Sequence, residues 1–328
     1  MRYSQSEKME IIKIVEESKL SARKTLEELQ INRSSFYKWY ANYHKDGYEG
    51  LANKKKGPNR FWNKIPESEK EMIREKALLI PELTPRELAW HITDTEGYYI
   101  SESSVYRILK SFDLITSPAY IVIKASDKFK HPTKRVNELW QTDFTYFKIV
   151  GWGHYYLASI LDDYSRYIIS WKLFTTMTAG DVKEVLDMAL LTTNIDKVKV
   201  NLKPRLLTDN GPCYLSEDLR TYLLEKNIDH TRGAPYHPQT QGKIERYHRS
   251  MKNVILLDHY YLPSELEHEI SKYIDYYNNE RYHEGINNLR PIDVFKGKSK
   301  EILRKRNVVK NETLAIRKLQ NLNFLHCS

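Results

Sequence analysis

The sequence has little cysteine and no long apolar stretch. Cys213 and Cys327 are the only cysteines among 328 residues, which argues against a disulfide framework and a cysteine-rich zinc site. Residues 1–20 contain no apolar segment of the kind that marks a signal peptide. No run of about 18 apolar residues, the length of a membrane span, occurs in the chain. These absences predict a protein of a reducing cytoplasm.

Acidic side chains are scarce at both ends of the chain, although not in its middle. Residues 1–60 carry a net charge of +5 and residues 291–328 one of +6, whereas residues 137–290 carry −3. A basic excess, +9 over the whole chain, indicates a polyanionic partner such as DNA. Solvated basic tails without a partner are the alternative. A sustained heptad pattern is also absent, so no coiled-coil dimerisation is indicated.

The length predicts more than one domain, and the first, over residues 1–48, is predicted to be a helix-turn-helix. Apolar residues recur at helical spacing behind Ser6 and Ser21, which are candidate N-caps, and a third helix begins near Arg33. In this motif the last helix enters the major groove through its N-terminal residues. The residues expected to bind DNA there are Arg33, Ser34, Ser35 and Lys38. An ordinary three-helix bundle with a polar surface is the alternative.

A second helix-turn-helix domain is predicted over residues 63–115, between linkers at 49–62 and 116–130. Thr84 precedes one of its helices and is followed three residues later by Glu87, which is the pattern of a capping box. Two cations on the outer face of its last helix are expected to contact DNA, namely Arg107 and Lys110. Two such domains in tandem strengthen the prediction of DNA binding.

From residue 131 to 296 the pattern changes to strands mixed with helices. Side chains alternate in polarity over 139–150, and two further strand patterns, at 155–163 and 166–174, complete an antiparallel meander. Later strands alternate with helices. This succession predicts an α/β fold with a mixed sheet. A basic tail is predicted to follow, over 297–328.

Three carboxylates occupy positions that suggest chemistry. Asp143 interrupts a run of aromatic and β-branched residues, although an unpaired, half-buried carboxylate is costly in a strand. Asp209 ends an apolar strand, where α/β sheets bind ligands, although Asp-Asn-Gly is also ordinary turn chemistry. Glu245 opens a helix, where most glutamates only complement the helix dipole.

Asp162 and Asp163 form an adjacent pair that competes with these three. Neighbouring side chains in a strand point to opposite faces, so the two carboxylates are not expected to act together. They precede Arg166 at a turn. A structural role is predicted, with one of the two aspartates binding Arg166.

Taken together, the three carboxylates and their surroundings resemble a known family. The motifs of the DDE transposases and integrases, in the retroviral-integrase superfamily, are similar to LWQTDFTY around Asp143, LLTDNGPCY around Asp209 and HPQTQGKIERYHRSMK around Glu245. The last two carboxylates have 35 residues between them, as in that family. LDDYSRYIISW and YYNNERYHEGINNLRPIDVF resemble further parts of bacterial insertion-sequence transposases. The resemblance covers about residues 130–296.

The resemblance implies an RNase H-like catalytic core, which would follow the two all-α helix-turn-helix domains. It also implies two Mg²⁺ or Mn²⁺ ions held by Asp143, Asp209 and Glu245, the catalytic residues, with Asp143 bridging the ions. Hard cations prefer oxygen ligands, and two of them can assist an in-line displacement at phosphorus. The chemistry of the residues therefore agrees with the family.

The activity implied is that of a DNA transposase. It would bind the terminal inverted repeats of a mobile element, cleave at the 3′ ends and join them to target DNA. We expect double-stranded DNA as the partner, a homodimer or higher oligomer as the working form, and a bacterial cytoplasm, with nucleoid association, as the location. An inactive relative that only binds specific DNA and an RNase H-type nuclease are the alternatives. The intact triad argues against the first, and the tandem helix-turn-helix domains argue against the second.

The helix that carries Glu245 has two cations on the same face, four and seven residues after the glutamate. If the carboxylate holds metal, these cations would hold the phosphates of the bound DNA end. The residues of this helix expected to bind DNA are Lys243, Arg249 and Lys252. A plain salt bridge between Glu245 and Arg249 is the alternative.

Overall fold

A computed structural model describes the chain in six stretches. These are residues 3–18, 20–53, 62–115, 133–195, 203–232 and 242–323. The chain divides into two compact units, residues 1–62 and 63–328. The predicted linker at 116–130, the greater part of that at 49–62 and the polar loop before Gly242 lie outside the described residues. In the stretches described, no helix is long and apolar enough to cross a membrane.

The first unit is all-α. Its elements are α1 (Gln5–Glu17), α2 (Ala22–Glu28), α3 (Arg33–Asp46) and a 3-10 helix at Gly47–Leu51. Their apolar faces share a core that includes Ile12, Leu26, Phe36 and Leu51. Ser21 caps α2 as predicted, but α1 is capped by Ser4 and not by Ser6. The reason is that Ser4 has Glu7 three residues later and forms a reciprocal capping box with it.

The second unit opens with three more helices. These are α4 (Glu67–Leu79), α5 (Pro85–Thr95) and α6 (Glu102–Ser111). They enclose a core that includes Ile73, Leu88, Ile92 and Val105. The predicted capping box is present at the start of α5, where Thr84 and Glu87 each accept a hydrogen bond from the main-chain N–H of the other. The start of α5 that this capping box predicted is confirmed.

A mixed five-stranded sheet forms the centre of the second unit. Its strands are β1 (Leu139–Ile149), β2 (Gly153–Asp162), β3 (Ile168–Phe174), β4 (Arg205–Thr208) and β5 (Asp229–Arg232). In space they follow the order β3-β2-β1-β4-β5. β1, β2 and β3 pair antiparallel, and β4 and β5 pair parallel on the other side of β1. The predicted α/β class, with a mixed sheet after all-α domains, is confirmed.

Helices cover both faces of the sheet. They are α7 (Ala179–Thr193), α8 (Pro212–Leu215), α9 (Glu217–Glu225), α10 (Gly242–Ile255) and α11 (Pro263–Asn279). Trp140 and Phe144 of β1 pack in the cluster of α7 and α9, whereas Phe147 and Ile149 pack in that of α10 and α11. Because side chains alternate along a strand, Asp143 lies on the face that α10 covers.

The C-terminal helix returns to the first part of the second unit. After α12 (Pro291–Phe295), α13 (Ser299–Asn323) occupies the segment that was predicted as a basic tail. Arg306 of α13 donates two hydrogen bonds to the carboxylate of Asp94 on α5, at 2.8 and 2.7 Å. Arg317 donates to the hydroxyl of Tyr98 and to the main-chain carbonyl of Tyr99. Two of the cations counted toward a DNA-binding tail are therefore buried against protein.

Candidate active site

Asp143 lies within β1, and its side chain is about one quarter exposed, at 23%. Its Oδ2 atom is 3.4 Å from Nδ1 of His248, which comes from α10 and is buried. Pairing of β1 with Ser159 and its neighbours on β2 holds the main chain at this point. The carboxylate therefore stands on a rigid strand with part of its surface open to solvent.

Asp209 directly follows β4, the parallel neighbour of β1. The last paired residues are Gln141 and Leu207, so both aspartates lie two residues beyond the same point of the ladder. Oδ1 of Asp209 accepts a hydrogen bond from the main-chain N–H of Gly211 at 2.9 Å. A Cβ at residue 211 would lie only 3.1 Å from that oxygen, so this turn favours glycine there. The turn chemistry foreseen as an alternative is thus present, and it leaves the carboxylate exposed.

The buried side chains of Tyr214 and Cys213 are each affected by the charges of both aspartates. Burial raises the pKa of the Tyr214 hydroxyl well above its usual range, and the charges of Asp143 and Asp209 raise it further. Burial also raises the pKa of the Cys213 thiol, again with contributions from both carboxylates. Tyr214 and Cys213 lie on α8, immediately after Asp209. With the register of the β1–β4 ladder, these shared neighbours place the two aspartates at matching positions of adjacent strands, next to α8.

Glu245 lies in the first turn of α10 and is exposed. The opposite side of the helix is buried against the sheet and α11 through Ile244, Tyr247, His248, Met251 and Ile255. Within the described residues no ion pair joins Glu245 to Arg249, so the plain salt bridge is not observed. Arg249 is exposed, and Lys252 is half-buried with Nζ 4.6 Å from the centroid of the Tyr146 ring.

The three carboxylates do not form a closed ligand set. Among the residues that the structure describes, no group of three or more His, Cys, Asp and Glu side chains is arranged to hold a metal ion. Asp143 and Asp209 occupy matching positions of the β1–β4 ladder, whereas Glu245 lies on the exposed face of α10. By donor type the set suits a hard divalent cation, because all three supply carboxylate oxygens.

The prediction that Lys243 contacts DNA requires correction. Its Nζ atom donates to Oδ2 of Asp163 at 2.5 Å, and the two side chains are only 10% and 5% exposed. Burial and the positive charge of Arg166 lower the pKa of Lys243 to about 8. A lysine at the start of a helix is expected on the surface, but here the carboxylate of Asp163, directly after β2, binds it inside the fold.

The structural role predicted for the adjacent aspartates is supported, with different partners. Asp162 is fully buried and accepts hydrogen bonds from the main-chain N–H groups of Asn137 and Ser165 and from the Ser165 hydroxyl. The Arg166 guanidinium donates to the main-chain carbonyl of Asp163. The carboxylate of Asp163 instead pairs with Lys243, a contact that sequence spacing did not reveal.

The remaining predicted DNA-binding residues lie on accessible helix surfaces. In α3, Arg33, Ser34 and Lys38 are exposed and Ser35 is half-buried. Asn32 caps this helix by accepting from the main-chain N–H of Ser34. In α6, Arg107 and Lys110 are both exposed. Each set is free of ion pairs within the described residues, so these cations are available for an anionic partner.

Sequence reasoning missed two residues of the site, His248 and Gln141. His248 follows Glu245 by three residues and points inward toward Asp143. Gln141 precedes Asp143 by two residues, on the same face of β1, and is 1% exposed. The signal for both was their spacing from a catalytic candidate along a helix or strand.

Comparisons with known proteins agree with this architecture. The family described as integrase core domain matches residues 133–238 and, through a second family of the same description, residues 226–291. The family described as homeodomain-like domain matches residues 2–52 and 35–109. Together the matches follow the order of helical and α/β parts seen in the structure.

Individual relatives match parts of the chain. The Gag-Pro-Pol polyprotein of Simian retrovirus SRV-2 is 36% identical over 119 residues, which is 36% of this chain and 6% of that protein. The transposase for insertion sequence element IS904 of Lactococcus lactis is 29% identical over 161 residues, 48% of this chain and 60% of that protein. The chain thus spans less than two thirds of these relatives.

Among solved structures, a chain of the simian T-cell lymphotropic virus intasome is 20% identical, with a TM-score of 0.44 over 67% of this chain and 73% of that chain. The HTLV-2 integrase catalytic core domain, solved in complex with magnesium, is 24% identical, with a TM-score of 0.37 over 49% of this chain and 97% of that chain.

Proposed function

We propose that the chain is a DNA transposase of the retroviral-integrase superfamily, a proposal supported by the integrase core domain matches over residues 133–238 and 226–291. It binds the terminal inverted repeats of its own mobile element, releases 3′-hydroxyl ends by hydrolysis and joins them to target DNA. The observation that carries this proposal is the matching position of Asp143, within β1, and Asp209, directly after the parallel neighbour β4: each lies two residues beyond the last pair of their ladder. Glu245 enters from the helix that packs on the same face.

We propose Asp143, Asp209 and Glu245 as the catalytic carboxylates and as the ligands of Mg²⁺ or Mn²⁺. Two such ions would supply Lewis-acid activation of the attacking oxygen and stabilisation of the leaving one. The protein's own contribution is to hold two of the ligands on rigid, neighbouring strands. His248 at 3.4 Å restrains the Asp143 carboxylate from the helix side.

DNA binding is proposed to use two kinds of surface. Arg249 is exposed on the same helix as Glu245 and Lys252 lies farther along it, so both would contact phosphates close to the cleaved end. The helical domains would supply sequence preference through Arg33, Ser34, Ser35 and Lys38 of α3 and through Arg107 and Lys110 of α6. Lys243 is left out of this set because Asp163 holds it inside the fold.

The assembly would contain at least two copies, since joining two element ends to one target requires two sites. The cell compartment proposed is the bacterial cytoplasm, where the protein would be associated with the nucleoid. The homeodomain-like matches and the basic first unit support a DNA partner.

A DNA-binding protein without strand-transfer activity is the second candidate. One observation favours it: the described residues do not gather the three carboxylates into a ligand group. It accounts equally well for the helical domains. It does not account for two carboxylates at matching positions of neighbouring strands, which in the described part of the chain contact one turn and one histidine only.

A joining assay separates the two candidates. DNA that flanks the gene would be searched for imperfect inverted repeats, and a labelled, pre-cleaved end would be incubated with the full chain, plasmid target and Mg²⁺ or Mn²⁺. A transposase gives metal-dependent joined products that disappear with Asp143→Asn. Specific binding of the ends without any joined product, in either metal, would establish the second candidate.

A further inference from the structure

A buried polar arrangement lies beside the candidate site. Nε2 of Gln141 donates to Oδ1 of Asp163 at 2.7 Å, and Oε1 of Gln141 accepts from the main-chain N–H of Ile244 at 3.2 Å. The other oxygen of Asp163 accepts from Nζ of Lys243 at 2.5 Å and from the Thr133 hydroxyl at 2.6 Å. We call Gln141, Asp163, Lys243 and the Ile244 N–H the polar clamp.

The polar clamp joins three elements that are distant in sequence. Gln141 lies on β1, Asp163 directly follows β2, and Lys243 and Ile244 belong to the first turn of α10. The first turn of a helix leaves N–H groups without an intrahelical acceptor, and Gln141 supplies an acceptor for one of them. The start of α10 is thereby fixed to the sheet by side chains and not only by apolar packing.

Burial of these polar groups costs free energy, so stability alone does not explain why they are there. Gln141 and Asp163 are 1% and 4% exposed. A buried ion pair contributes little net stability compared with apolar side chains of similar volume, and a buried amide must find its partners. Here the partners are found, so the arrangement specifies one relative position of β1, β2 and α10.

That relative position is the one the carboxylate site depends on. Gln141 precedes Asp143 by two residues on the same face of β1, and Ile244 directly precedes Glu245. We propose that the polar clamp sets the position of Glu245 relative to Asp143, which makes Gln141, Asp163 and Lys243 positioning residues for metal binding. The inference rests on the proposed function, because it requires these two carboxylates to be ligands.

The test measures binding of Mn²⁺ alone to the full chain, without DNA, by electron paramagnetic resonance titration. Gln141→Met keeps the volume but removes both hydrogen bonds. Loss of a residue that orients a ligand typically weakens metal binding about 10- to 100-fold, and we expect a loss in this range. We also expect faster hydrogen exchange at the Ile244 amide, and lower joining activity in Mg²⁺.

The matched control is Thr145→Val. Thr145 is buried, lies on the same face of β1 and follows Asp143 by the same two residues by which Gln141 precedes it. It is not a member of the polar clamp, so the Mn²⁺ affinity of this variant should stay close to that of the wild type, well short of the roughly 10-fold loss expected of an orienting residue. If Gln141→Met does not fold, Lys243→Met carries the test, because it removes one link and leaves the bond to Ile244.

Three outcomes are decisive. Weaker Mn²⁺ binding in Gln141→Met or Lys243→Met, together with near wild-type binding in Thr145→Val, supports the clamp. Wild-type binding in both clamp variants, with Asp143→Asn defective, overturns the clamp and leaves the proposed function standing. Wild-type Mn²⁺ binding in Asp143→Asn overturns the proposed metal site, and the clamp with it.

Discussion

Two groups of carboxylates in the core differ in how completely the protein uses their oxygens. Asp162 and Asp163 are buried and each accepts three hydrogen bonds from the surrounding protein. Within the described residues, the carboxylate of Asp143 has one polar contact, with His248, and that of Asp209 has one, with Gly211, while Glu245 is exposed. Carboxylates whose acceptors are satisfied hold the fold together. Carboxylates with unused oxygens can bind a ligand such as a metal ion. Substitutions in the first group should therefore lower stability, and substitutions in the second should lower activity.

The largest expected effect is loss of DNA-joining activity when a carboxylate with unused oxygens is substituted, that is Asp143, Asp209 or Glu245. Asp143→Asn removes a charged ligand from a strand that other contacts hold in place, so we expect at least about a 10³-fold loss of joining, as for members of a catalytic unit. Melting temperature and binding of element ends should stay close to wild type. The same result is expected for Asp209→Asn and Glu245→Gln.

The measurement is joining of a labelled end, with thermal melting and end binding in parallel. The matched control is Asp187→Asn, since Asp187 is a half-exposed aspartate on α7 that contacts Tyr222. A variant of the triad that kept more than a few per cent of wild-type joining would remove its residue from the site.

Substitution of Asp162, whose oxygens are both used by the protein, should instead lower the stability of the fold. Both oxygens of Asp162 accept N–H or O–H groups, so the amide nitrogen introduced by Asp162→Asn must face a donor. We expect the free energy of unfolding to fall by about 3 kcal/mol, as for a buried group left unsatisfied. Denaturant unfolding measures this. A loss below about 1 kcal/mol, the range of surface changes, would place Asp162 in the other group.

This contrast also marks how far sequence could lead. The RNase H-like α/β class, the tandem helical domains and the caps at Ser21 and Thr84 were predictable, because period, caps and motifs are local signals. The contact of Lys243 with Asp163 spans 80 residues, and no local pattern encodes it. A lysine at a helix start has the same sequence appearance whether it faces solvent or a buried carboxylate.

The C-terminal segment illustrates the same limit. Its net charge of +6 indicates an anionic partner or a solvated tail, because net charge carries no information about which way the cations point. In the structure, Arg306 lies against Asp94 and over the ring of Trp90 at 4.5 Å. Only the tertiary fold distinguishes an arginine that binds protein from one that is free for phosphate.

The lowered pKa of His283 predicts a dependence of stability on pH. Burial, together with the charges of Arg281, Arg166 and Arg86, lowers the pKa of His283 to about 3. Its unfolded pKa is about 6.5, so between these values the unfolded chain binds more protons and stability falls as pH falls. At pH 5 the loss from this residue should be at most about 2 kcal/mol relative to pH 7.

Denaturant unfolding at pH 7 and pH 5 of the wild type and of His283→Gln isolates this contribution. Glutamine does not titrate in this range, so the variant should lose less stability than the wild type between the two pH values. Equal losses in both proteins would mean that His283 keeps an ordinary pKa in the fold.

The smallest effects are expected on the exposed face of α10 that carries Glu245. Arg249→Ala removes an exposed cation one turn after Glu245, and we expect weaker binding of a pre-cleaved end with a log–log salt slope smaller by about one unit. Melting should not change, because Arg249 makes no ion pair within the described residues. Lys252→Ala should show the same slope change with a slightly lower melting temperature, since the ammonium of Lys252 lies over the Tyr146 ring. Arg220→Ala, an exposed cation on α9, is the control and should leave the slope intact. An unchanged slope for both Arg249→Ala and Lys252→Ala would reduce this helix face to a solvated surface, and the carboxylate site would then have to hold DNA by other groups.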